Sequence, residues 1–159
     1  MRFLKIKAMC EDGKDKVYLE WEVPNGSDFD HFMLKSNDKP APEFHEALQA
    51  LAQDMVEMCE LSDDDKDRVM VRSVSLNYGG EKQVMGATIS GFKKLMKSNA
   101  PLNLNTPNKA EDFYAETGDP KQLLDPQCVE RLRHLIDCAE DFRAGVRAQV
   151  SMQLQGVGA

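Results

Sequence analysis

Phe3-Leu4-Lys5-Ile6-Lys7-Ala8-Met9-Cys10, then Glu11-Asp12-Gly13-Lys14, then Val17-Tyr18-Leu19-Glu20-Trp21-Glu22-Val23 is the stretch on which the fold turns. Leu4, Ile6, Ala8 and Cys10 alternate with Lys5, Lys7 and Met9, and the alternation resumes as Val17, Leu19, Trp21 and Val23. A period of two places these apolar residues on one side of an extended chain. Asp-Gly supplies the positive-φ turn that matches strand twist, so the segment reads as a β-hairpin with one buried face. Pro24-Asn25-Gly26 ends the second strand, and Phe29 to Lys35 reads as an extra short strand. Lys39-Pro40-Ala41-Pro42 must be extended, because a proline disfavours helix in the residue before it.

Beyond Pro42, which suits a first helical turn, Phe44, Leu48, Leu51, Met55, Val56 and Cys59 recur at three- and four-residue steps. That spacing predicts an amphipathic helix, broken at Ser62-Asp63-Asp64-Asp65-Lys66-Asp67. A second hairpin follows, from Arg68 to Tyr78 and from about Lys82 to Phe92, turning at Gly79-Gly80. Strict alternation puts Val69 and Val71 on one side of its first strand and Met70, Val74 and Leu76 on the other. Gly91 in the returning strand points to a bulge or a close backbone approach. Residues 98–125, rich in Asn and Pro, read as a long irregular connection. Asp125-Pro126 then supplies an N-cap and a first-turn proline for a helix striped by Val129, Leu132, Leu135, Ile136, Ala139 and Phe142 and weakened at Gly145. The expected architecture is a single α+β domain over residues 1–150, with a flexible tail at 151–159. Two hairpins form one antiparallel sheet and two amphipathic helices cover one of its faces, in ββ-α-ββ-α order.

Composition agrees with one such domain. The chain has 159 residues, 42% hydrophobic and 30% charged, with a net charge of −7. At this length a fold removes roughly 70% of the unfolded surface from water, so neither disulfides nor metal are needed. No uncharged apolar run approaches the ~18 residues of a membrane span, and Met1-Arg2-Phe3-Leu4-Lys5 leads into alternation rather than a signal-peptide core, so the expected setting is cytoplasmic. Cys10, Cys59, Cys128 and Cys138 form no C-x-x-C pair and read as small hydrophobes rather than zinc ligands.

The residues that carry enzyme chemistry do not assemble in the sequence. His45-Glu46 lacks the second histidine of a metalloprotease helix, and His31 and His134 stand alone. Asp63, Asp65 and Asp67 alternate as calcium ligands do, but the loop glycine is missing and Val74 occupies the twelfth position. Gly79-Gly80 precedes no helix, so it is a turn rather than a phosphate cradle. The expectation is therefore a non-enzymatic protein without a cofactor.

Charge is unevenly placed. Glu43, Glu46, Asp54, Glu57, Glu60, Asp63, Asp64, Asp65 and Asp67 face a single lysine between positions 43 and 67, while residues 82–109 hold five lysines and no acid. Lys93, Lys94 and Lys97, beside the amides of Asn99, Asn103 and Asn105, form a candidate anion or nucleic-acid strip. In the competing reading, the acidic and basic segments complement each other within the fold or across a dimer. Leu102 and Leu104 alternate with Asn103 and Asn105 as an edge strand does, which opens the way to a homodimer.

The run Met85-Gly86-Ala87-Thr88-Ile89-Ser90-Gly91, followed by Ser98-Asn99-Ala100-Pro101-Leu102-Asn103-Leu104-Asn105-Thr106-Pro107, resembles a block in small uncharacterised proteins of phages and prophages. The resemblance spans about Tyr78 to Gln149, implies a phage setting, and supplies no catalytic residues. Gln149-Val150-Ser151-Met152-Gln153-Leu154 resembles the peptides with which polymerases and repair proteins dock on the bacterial sliding clamp. That resemblance implies a rim hydrogen bond from Gln149, with Val150, Met152 and Leu154 as apolar contacts around Ser151. Met152 stands where leucine is usual, and the closing aromatic is missing. Together these features point to an accessory protein that binds replication or recombination machinery. The alternative is an inhibitor of host defence that mimics nucleic acid or captures a nucleotide signal.

Overall fold

The computed structural model describes residues 1–114 and 118–149. The first hairpin forms where its alternation lies: β1 (Arg2–Glu11) pairs antiparallel with β2 (Lys14–Asn25), and the turn residues Asp12 and Gly13 both take positive φ, 54° and 74°. A bulge between Phe3 and Lys5 rephases the start of β1, so Phe3 rather than Leu4 joins Ile6 and Ala8 in the core, and Cys10 at the far end is exposed. β3 (Asp28–Ser36), the extra strand, pairs along the full length of β2's second half. α1 (Pro42–Gln49), α2 (Ala52–Met58) and a 3-10 turn (Asp63–Arg68) follow, then the second hairpin, β4 (Val69–Gly79) and β5 (Val84–Lys93). β6 (Leu102–Asn105), β7 (Lys109–Ala110), a 3-10 turn (Pro120–Gln122) and α3 (Pro126–Arg143) complete the order. Six strands run β3-β2-β1-β4-β5-β6, and β7 pairs beside β6 on β5. The fold is α+β.

Three further local expectations need correction. The predicted helix is two segments, because the Leu51 amide bonds the Leu48 carbonyl at 3.2 Å, one residue short of α-helical spacing, before Met55 bonds Leu51 at 3.0 Å. The tightening keeps Leu48, Leu51 and Met55 all buried. Val69, Val71, Val74 and Leu76 all face the core, since a bulge between Val71 and Ser73 adds one residue to β4 and rephases the strand. Gly91 pairs with Val71 at that bulge: a Cβ there would lie 2.1 Å from the Met70 carbonyl oxygen. Finally, the Asn-rich connection is not irregular throughout: it contributes two strands to the sheet, and β6 lies where Leu102 and Leu104 alternate as an edge strand does. Thr106 holds it in place, with its hydroxyl accepting from the Ile89 amide at 2.9 Å and its own amide donating to the Ile89 carbonyl.

The helices cover one face of the sheet. Phe3, Ile6, Leu19, Val74 and Ile89 of the strands meet Phe44, Leu48, Met55, Leu132, Leu135 and Phe142 of the helices in one core. Phe44 and Phe142 pack edge to face at 5.8 Å, joining α1 to α3. Asp54, only 3% exposed, takes two bonds from Arg131, at 2.8 and 2.6 Å, and so ties α2 to α3. Asp125 caps α3 through the Gln127 amide, as the Asp-Pro signal predicts.

Candidate functional site

A sheet covered on one face presents alternate residues of every strand on the other. Pairing carries one row across all six strands: Lys35 opposite Tyr18, Tyr18 opposite Lys7, Lys7 opposite Ser73, Ser73 opposite Ser90, and Ser90 opposite Asn105. The next row runs Met33, Glu20, Lys5, Ser75 and Thr88. Lys16 lies opposite Met9 on the same face.

On the β1–β3 flank, Lys5, Lys7, Lys16 and Lys35 surround Tyr18 in an open hollow of about 480 Å³. The ammonium groups of Lys5 and Lys35 stand 5.9 and 5.8 Å from the Tyr18 ring centroid. Burial, and then the bond its hydroxyl donates to Glu20 at 3.1 Å, push the Tyr18 phenol above its ordinary range, so the ring adds no negative charge at neutral pH. Among the described residues, none of these four lysines is within ion-pair distance of a carboxylate. Further along β2, Glu22 is neutralised by Arg2 at 2.5 Å, with His31 at 3.5 Å.

On the β4–β6 flank the same face carries one cation, Arg72, and is otherwise neutral and hydrogen-bonding. The Ser90 hydroxyl donates to Asn105 at 2.6 Å, and the Asn108 amide donates to Thr88 and Asn77 at 3.1 and 3.3 Å. Arg72, the bulge residue, lays its guanidinium 4.3 Å from the Phe92 ring centroid. Phe92 lies opposite Asn103.

The strip expected from Lys93 to Asn105 is divided by this geometry. Lys93 lies opposite Val69, a core-facing position, and its ammonium pairs with Asp65 at 3.1 Å, so it is committed within the fold. The Lys93 bond, with Arg68 alongside, holds the Asp65 carboxyl below its usual range. Here the acidic and basic segments do complement each other. Lys94, Lys97 and Asn99 are exposed in the loop after β5, while Asn103 and Asn105 belong to the open face. β6 pairs with β5 of its own chain. Gln149 is exposed, and the remaining tail positions, Val150, Ser151, Met152 and Leu154, lie outside the described residues.

Sequence reasoning missed Lys16, Lys35 and Tyr18 as partners of Lys5 and Lys7. The available signal was the lysines on the polar side of the first hairpin, but which strands are neighbours decides whether they converge. Elsewhere, Cys138 Sγ lies 4.0 Å from His134 Nε2, yet burial and the charges of Asp141, Asp137 and Glu43 push that thiol up. Burial and Asp54 push Cys128 up to about 12. Neither thiol is poised as a thiolate nucleophile at neutral pH. Among the described residues, no group of three or more His, Cys, Asp or Glu is placed to hold a metal ion, and no helix is long and apolar enough to cross a membrane.

No family model, no curated protein and no solved structure matches this chain.

Proposed function

We propose that the protein is a non-enzymatic binding module that captures a phosphate-bearing ligand on the open face of its sheet and serves as an accessory in phage DNA replication or recombination. The observation that carries the first part is the convergence of Lys5, Lys7, Lys16 and Lys35, all without carboxylate partners among the described residues, around Tyr18. In a chain of net charge −7 this concentration of cations is local, and the acidic residues of α1, α2 and the turn after them sit on the opposite layer. A phosphate ligand is therefore steered to one side of the molecule. The replication setting rests on the resemblance of residues 78–149 to phage and prophage proteins. The clamp-like pattern from Gln149 to Leu154 gives the module a way to reach that machinery.

Lys7→Glu combined with Lys35→Glu is expected to weaken binding of a fluorescein-labelled oligothymidylate at least tenfold at low salt. Losing two phosphate contacts should also reduce the slope of log affinity against log salt by about 1.4, at roughly 0.7 per phosphate for single strands. Circular dichroism should show the fold unchanged, since both side chains lie on the open face. Equal binding by wild type and variant, or wild type that binds neither oligonucleotide nor polyphosphate at low salt, rules the reading out.

A further inference from the structure

We infer that the ligand of this face is single-stranded nucleic acid lying across the strands, with phosphates on the lysine flank and bases on the Ser, Thr and Asn flank. This rests on the phosphate-binding reading above and specifies its ligand. The row from Lys35 to Asn105 crosses six strands, five intervals of about 4.8 Å, so the track is about 24 Å long. A lone nucleotide is too short to use both flanks.

The chemistry changes halfway along the track. Over β1, β2 and β3 it offers four ammonium groups and a phenol ring, with a single carboxylate, Glu20, in the adjacent row taking the phenol's hydrogen bond. Over β4, β5 and β6 it offers hydroxyls, amides and an aromatic ring under a guanidinium, and those three strands contain no Asp or Glu at all. Bases of a single strand are read in this way, by hydrogen bonds to exposed edges and by stacking on aromatic rings or guanidinium planes. A duplex hides its base edges and presents phosphate along its whole footprint, which leaves the hydroxyls and amides of the second flank without a role. The layer on the other side of the sheet carries the nine acids between Glu43 and Asp67, which repel phosphate from that side.

The test is fluorescence anisotropy with labelled single strands of 2, 4, 6 and 10 nucleotides, a 10-base-pair duplex, and ATP as competitor. Affinity should rise with length and level off at about four to six nucleotides, and the single strand should be preferred over the duplex at least tenfold. Phe92→Ala should weaken single-strand binding at least about fivefold, the effect of one lost stacking contact, and leave the salt slope unchanged. Ser75→Ala with Ser90→Ala, small changes on the solvent face that preserve the fold, should alter relative affinity among base compositions. If ATP binds as tightly as any oligomer, or the duplex binds as tightly as the single strand, the inference falls while the phosphate reading stands. It also falls if Phe92 and serine variants bind every probe as wild type does while the Lys7→Glu, Lys35→Glu protein does not. If that lysine variant binds as wild type, both fall together.

Discussion

Arg131→Ala is expected to destabilise the protein by about 3 to 5 kcal/mol, because it leaves the Asp54 carboxylate buried without its partner. Asp54 is 3% exposed and its two oxygens are both held by the Arg131 guanidinium, at 2.8 and 2.6 Å. The bidentate contact to Asp54 raises the Arg131 pKa above its ordinary value. In a chain of this length each kcal/mol shifts the melting temperature by roughly 2 to 4 °C, so a fall of about 10 °C is expected by differential scanning calorimetry. Asp54→Leu with Arg131→Leu removes the charge and its partner together and should recover most of the loss. A single variant that melts within about 2 °C of wild type would show that the pair does not hold α2 to α3.

Gly91→Val is expected to cost about 3 kcal/mol, for a steric reason. A Cβ at position 91 would lie 2.1 Å from the Met70 carbonyl oxygen and 3.0 Å from the Val71 Cα, and both belong to the backbone of the neighbouring strand. No rotamer change relieves a clash with backbone, so β4 and β5 must separate where the bulge joins them. Overpacking in a closely packed site costs about 1 to 3 kcal/mol. The β4–β5 pair is central to the sheet, and a β-branched side chain clashes further, so the upper end is expected. Urea denaturation should show a lowered midpoint with an unchanged slope, and Gly91→Ala should fall between Gly91→Val and wild type. A Gly91→Val protein with the wild-type midpoint would mean that the strands pair differently at this bulge.

The same bulge shows where the sequence stops being legible. Asp12-Gly13, the alternation from Phe3 to Val23 and the three- and four-residue steps from Phe44 to Cys59 each encode structure within a few neighbouring residues, and both hairpins and the helices form where these signals lie. The phase of β4 depends on one unpaired residue, Arg72; Gly91 across from it signals a bulge or close approach but not which strand carries the extra residue, so the alternation misassigned Val74 and Leu76. β6, four residues long, shows its alternation in Leu102 and Leu104, whereas β7 has two residues, too few for periodicity to register, and is a strand because β5 offers it an edge. The site was legible only in part. Lys5 and Lys7 stand out as polar-side residues of β1, but Lys35 reaches them through β2, and Ser73 and Ser90 join the row only because β1 pairs with β4 rather than with a strand nearer in sequence. Lys93 looked free in the chain and is committed to Asp65 in the fold. In both cases the deciding fact is a contact between residues distant in sequence.

The most direct test of the central claim is a residue-resolved NMR titration of the full chain with a six-nucleotide single strand at low salt. Amide shifts should concentrate at Lys7, Tyr18 and Lys35, continue across Ser73 and Ser90, and leave α1, α2 and α3 unmoved. Shifts confined to the helical layer, or no shifts at millimolar oligonucleotide, would contradict the account.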